Sequence, residues 1–192
     1  MYLQSYDYQA ARKASWKNVS VVRELIARRS FPYVHSEIQF GPRYGNISFS
    51  ATMEDRAKCC RFKVINYTSG FWDMAIIPVT MEEEDLCFAR AMALAGIGGY
   101  AGKAVDDCLK QGYLFGKEAK RYDLLGLLSF ATPLEVIVPN RDRYWCSEAV
   151  ATAIKAGRPD FNVEPDRLHP TALHQQTVIQ MRVCGIAEPE AH

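Results

Sequence analysis

The sequence predicts an α+β fold in which an antiparallel sheet packs against helices, one of them beginning at a cysteine. Three observations carry this. Between Tyr33 and Val79, stretches of apolar–polar alternation follow one another with turn residues between them, the period of half-buried strands. Helix signals gather later, over Thr80–Gly96 and Cys146–Gly157. Strand and helix patterns do not alternate, as they would in a parallel βαβ protein.

In chain order, residues 1–17 are polar and aromatic without a period, so a loosely attached lead-in is expected. Asn18 or Ser20 can cap a short helix carrying Val21, Val22, Leu25 and Ile26, which Phe31-Pro32 ends. Tyr33–Phe40 then alternates, with Val34, Ser36, Ile38 and Phe40 on one face and His35, Glu37 and Gln39 on the other. A turn over Gly41–Gly45 leads to Ile47, Phe49 and Ala51 alternating with Ser48 and Ser50, a hairpin pattern. Met53–Lys58 is polar and turn-like. Cys59–Tyr67 and Phe71–Val79 read as two further strands, completing a run of four.

Thr80-Met81-Glu82-Glu83 is a capping box that opens a helix to about Ala95, closed by Gly96. The glycines of Gly96–Glu118 follow a helix rather than a strand, which argues against a phosphate loop, and residues 96–120 read as an insertion or lid. Leu124–Phe130 is apolar enough for a buried helix, with Glu135–Pro139 extended after it. Cys146–Ala156 is built of good helix formers and Gly157 supplies the stop. Arg158–His169 is loop-like, Pro170 opens a short helix to Gln176, and Thr177–Cys184 alternates as a last strand. Residues 186–192 form a loose tail, and 1–192 is read as one domain.

Composition narrows the function classes. With 48% hydrophobic and 23% charged residues there is material for a core, and a net charge of +1 provides no field for nucleic acid or an anionic membrane. The uncharged, glycine-rich run Ala91–Gly102 is too short to span a bilayer. The N-terminus lacks a signal peptide's apolar core, so a cytoplasmic site of synthesis is expected. Cys59, Cys60, Cys87, Cys108, Cys146 and Cys184 form no C-x-x-C pair and are not spaced with the histidines as zinc ligands. Free thiols in a reducing compartment, with no metal and no cofactor, are expected.

Cys146 stands where a loop becomes a helix. A thiol in a first turn faces unpaired N–H groups and the positive end of the helix dipole, which favour thiolate. The plainer alternative is a small buried hydrophobe. A nucleophile needs a base. His192 ends the chain, and His169 and His174 fall in or near a polar connection and a short surface helix, where solvated rings are usual. His35 lies mid-strand with Glu37 on the same face, about 6.5 Å along the strand, close enough to lean together. A carboxylate beside an imidazole fixes its tautomer and stabilises imidazolium. The plainer alternative is the wet face of an antiparallel sheet. Ser50, and less directly Ser48, are the other candidates to orient His35.

His35-Ser36-Glu37, Ile47–Ala51, Tyr122-Asp123, Trp145-Cys146-Ser147-Glu148 and Leu168–Leu173 together resemble the circularly permuted papain-like cysteine hydrolases of the YiiX/YaeF type. These are related to NlpC-type cell-wall peptidases and lecithin retinol acyltransferases. In the permuted branch the histidine strand precedes the cysteine helix, the order seen here over roughly Tyr33–Leu173. The departure is the long glycine-bearing segment after Gly96. The resemblance implies a permuted papain-like (NlpC-like) fold and a cysteine peptidase or amidase with Cys146 as nucleophile, His35 as base and Glu37 as orienter. The backbone N–H of Cys146 or Ser147 would hold the oxyanion, and Glu148 would point away from the sulfur. Tyr144 and Trp145 would wall or floor the cleft, with Tyr122 and Asp123 structural. The substrate would be a cell-wall peptide, an isopeptide or an acyl ester. Similar chains occur among tailed-phage products, so the alternative is a virion or tail component that keeps the fold without catalysis and partners other tail proteins.

Overall fold

The computed structural model describes residues 1–14, 21–28, 30–53, 59–123, 143–165 and 168–187. Its centre is a six-stranded sheet in which every pairing is antiparallel. The strands are β1 (Tyr2–Asp7), β2 (Tyr33–Gln39), β3 (Ser48–Ala51), β4 (Cys60–Lys63), β5 (Trp72–Ile76) and β6 (Tyr113–Leu114), in the order β5-β1-β2-β3-β4-β6. Two short strands, β7 (Arg121–Tyr122) and β8 (Arg143–Tyr144), pair in parallel beside it. The helices are α1 (Tyr8–Ala14), α2 (Val21–Ala27), α3 (Met81–Leu94), α4 (Ala101–Gln111), α5 (Cys146–Gly157) and α6 (Pro170–Val183). Among the described residues no helix is long and apolar enough to cross a membrane.

The expected lead-in is corrected: Tyr2–Asp7 is an interior strand between β2 and β5. Its apolar period is hidden because polar side chains on it find partners within the fold. Gln4 donates to Gln39 across the ladder at 2.9 Å, and Ser5 Oγ lies 2.9 Å from His174 Nδ1, while Leu3 alone enters the core. The run of four strands is also redrawn, since β5 leaves β4 and pairs with β1 on the far side.

The segment read as an insertion or lid supplies α4 and the edge strand β6. It is tied to the end of α3 by Gly116 N–H to Ala95 O and Lys120 N–H to Leu94 O, both 2.8 Å. A Cβ on Gly116 would lie 1.8 Å from Gly96 O, so these glycines serve a close backbone crossing. The last strand is corrected as well. The helix begun at Pro170, with His169 as N-cap, runs on to Val183. Leu173, Thr177 and Met181 are buried at four-residue spacing while Ile179 and Val183 are exposed, so the helical period overrides the β-branched alternation. The helix expected over Leu124–Phe130, the stretch Glu135–Pro139, the caps Asn18 and Ser20, and His192 lie outside the described residues.

The core is formed by Leu3, Ile38, Phe40, Phe49 and Phe62 of the sheet region against Phe88 and Met92 of α3, Val150 and Ile154 of α5, and Leu173 and Met181 of α6. The capping box of α3 is present, with Thr80 and Glu83 bonding each other's backbone N–H. Helix α5 can press against α3 because it carries Ala149, Ala153 and Gly157. A Cβ on Gly157 would stand 2.1 Å from Glu83 O and 2.7 Å from Cys87 Sγ. Helix propensity favours alanine over glycine by about 1 kcal/mol, but this contact with backbone outweighs it. Gly157→Ala is therefore expected to destabilise the protein by about 1–3 kcal/mol, seen as a lower urea midpoint at unchanged slope.

Candidate active site

The site forms where β2 and β3 part. Their ladder has only the pairs Ile38–Phe49 and Gln39–Ser48, and further along Ser50 Oγ donates to Ser36 O at 2.6 Å. Helix α5 packs against both strands and delivers its first residue, Cys146, to His35. The flanks of that cysteine are anchored to one carbonyl: Trp145 Nε1 donates to Leu168 O at 3.2 Å, and Ser147 Oγ donates to the same oxygen. Sequence-neighbouring donors on one acceptor fix how the helix enters the site.

His35 and Glu37 leave β2 on the same face, as the alternation requires. The face is not a wet one. Glu37 is 1% exposed, and Tyr67, from the connection between β4 and β5, crosses over it. His35 Nε2 and Glu37 Oε1 are 3.0 Å apart. Tyr67 Oη reaches Ser48 Oγ at 2.6 Å and Glu37 Oε2 at 3.4 Å. Arg61 on β4 places Nη2 3.6 Å from Glu37 Oε1. Ser50, the second candidate to orient His35, is turned to the Ser36 carbonyl instead. Trp72 stands edge-on to the imidazole at 6.1 Å and is itself flanked by Tyr6 and Tyr67.

Burial draws the His35 pKa down, but the charge and hydrogen bonding of Cys146, then of Glu37, outweigh it and raise it to about 10. For Glu37, burial favours the neutral acid; Arg61 first, then His35 and Lys63, reverse this and hold it below the usual carboxylate range. Tyr67 is pushed upward by burial and by the Glu37 charge, so it stays a neutral phenol. Since Nε2 faces Glu37, Nδ1 is the ring nitrogen left for Cys146.

The structure therefore brings together Cys146, His35 and Glu37. Glu148 folds back, its Oε2 accepting from the Trp145 N–H at 3.3 Å. Tyr122 is near enough that, after burial, the Cys146 charge opposes its ionisation. The surface readings of His169 and His174 are corrected. His169 caps α6 by accepting from Ala172 N–H at 3.2 Å, and burial lowers its pKa. It lines a narrow cavity of about 10 Å³ beside Cys146 with Ile26, Val34 and Trp145. His174 packs on Tyr33 with the rings tilted by 39° and their centroids 4.5 Å apart. Arg61 and Tyr67 escaped sequence reasoning. Arg61 had a signal, a cation alternating with Cys60 and Phe62 on the face of β4 that also carries Lys63; Tyr67 had none.

Among the described residues no cluster of three or more His, Cys, Asp or Glu could hold a metal ion. Comparison with protein-family models, with curated proteins and with solved structures gives no match to this chain.

An NMR titration of labelled histidine checks the electrostatics. The His35 midpoint is expected near 10, to fall furthest in Cys146→Ser and less far in Glu37→Gln, since Cys146 supplies the larger upward contribution. A midpoint unmoved by Cys146→Ser would show that the two side chains do not interact.

Proposed function

We propose that this chain is a cysteine hydrolase, a permuted papain-like enzyme acting on an amide of a cell-wall peptide or isopeptide, or on an acyl ester. The observation that carries the reading is the ordered set Cys146–His35–Glu37, in which the carboxylate meets His35 Nε2 at 3.0 Å and the same imidazole interacts with the Cys146 sulfur. It is supported by chain order, the histidine strand coming first and the cysteine helix late.

In the proposed reaction, the Cys146 proton rests on the His35 imidazolium and the thiolate attacks the carbonyl carbon. The oxyanion faces the first-turn N–H groups of α5, which lack intrahelical partners and lie at the positive end of a 12-residue helix. Collapse breaks the bond to the leaving amine or alkoxide, which takes the proton from His35, and leaves a thioester. Water, deprotonated by His35, then cleaves the thioester, releasing the acid and restoring the thiol. Glu37 keeps the Nε2 proton and the ring orientation throughout.

One observation favours a fold kept as a scaffold: Cys146 is only 3% exposed. Limiting iodoacetamide separates the readings, because Cys184 is exposed and serves as the ordinary thiol. Cys146 is expected to be alkylated faster than Cys184 near neutral pH, and His35→Asn to slow it by about 100-fold or more. Labelling of Cys146 no faster than Cys184 would remove the catalytic reading.

A further inference from the structure

We infer that Arg61 is a positioning residue of this site: from β4 it keeps Glu37 an anion, and thereby keeps in place the His35 imidazolium that pairs with the Cys146 thiolate. The inference rests on the hydrolase reading and adds a residue to it.

Arg61 is 5% exposed, and burying a guanidinium is costly unless it is paired. Its pairing is unusual. Nη2 lies 3.6 Å from Glu37 Oε1, an ion-pair distance rather than a hydrogen bond, and Nη1 has no partner among the described residues. A bridge built for stability would use the guanidinium fork on both carboxylate oxygens. Here the fork is left partly idle: Nη2 approaches Oε1 without a hydrogen bond, and the same oxygen lies 3.0 Å from His35 Nε2. The cation supplies charge without taking the oxygen that the imidazole needs.

The sheet provides for this reach. Arg61 is two strands from Glu37, about 9.5 Å across the ladder. The intervening positions on the same face are Ser48 and Ser50, small enough for a long side chain to pass over. The groups around Glu37 are His35 on its own strand, Gln4 opposite it on β1, Ser48 on β3, Arg61 and Lys63 on β4, and Tyr67 above. Of the two β4 cations, Arg61 is the one in ion-pair contact, and among all the groups it exerts the strongest downward pull on Glu37.

Loss of that charge would act through the His35–Glu37 contact. A buried Glu37 without its cation takes up a proton. The neutral acid no longer stabilises the imidazolium, whose Nε2–H loses its anionic partner. The ring then gives up its charge more readily, and the thiolate that it balances is lost with it.

The test is the pH dependence, from 5 to 10, of Cys146 alkylation relative to Cys184 in the wild type, Arg61→Met, Arg61→Lys, Glu37→Gln and the double variant. Arg61→Met is expected to be slower by about tenfold at pH 6.5, the loss that follows when about nine in ten Glu37 side chains are protonated there, and to recover at higher pH as Glu37 ionises. Arg61→Lys, keeping the charge, is expected to retain the wild-type profile. Adding Arg61→Met to Glu37→Gln is expected to cause no further loss, because both act through one carboxylate. A folded Arg61→Met with the wild-type profile overturns the inference while leaving the hydrolase reading intact. A wild type whose Cys146 is no faster than Cys184 removes both. If Arg61→Met does not fold, ¹³C NMR of Glu37 in the wild type decides. Ionisation retained below pH 4.5 supports the role, and a midpoint at or above that value overturns it.

Discussion

A buried carboxylate organises the described part of this protein. Glu37 is withdrawn almost wholly from water, where a lone carboxylate would sooner bind a proton than keep its charge. It stays ionised because side chains from separate pieces of chain converge on it: the imidazole of the same strand, a guanidinium from β4 and a phenol from the connection beyond. The imidazole and the guanidinium depend on strand register, and a slip of one residue would turn either to the opposite face. Sheet alignment and site chemistry are thus one constraint.

The second requirement is that a helix begin at the right place. Helix α5 is held along its length by close contact with α3, where alanines and Gly157 let backbone approach backbone. It is held at its start by the Leu168 carbonyl, which receives both Trp145 and Ser147. The residue between those anchors is Cys146. It enters where β2 and β3 stop pairing, so the break in the ladder is what admits a helix terminus to the strand histidine.

Two histidines show why that meeting matters. His169 and His35 are both drawn toward the neutral form by burial. For His169 burial prevails, and Nδ1 accepts the backbone N–H that begins α6. For His35 the charges of Cys146 and Glu37 reverse the direction and hold the ring protonated to about pH 10. Residue type and burial are shared; neighbouring charge decides which ring suits acid–base work.

Much of this was legible in the residues. The alternation of Tyr33–Gln39 put His35 and Glu37 on one face, the box at Thr80–Glu83 opened α3, and loop residues before helix formers marked Cys146 as a helix start. Such features are local, set by a period or a cap within a few residues. Strand β1 was not legible, because its polar side chains are satisfied by partners far along the chain. Nor was the extent of α6, where cooperativity and a buried face overrode β-branched preference. Arg61 and Tyr67 joined the site only through strand order, which brings residues 24 and 30 positions from Glu37 onto the same carboxylate. The sequence by itself determined which side chains could do chemistry and which way each faced on its own element. Only the tertiary structure decided which of them meet, because meeting depends on pairing across the sheet and on charges whose effect exists only once water is excluded.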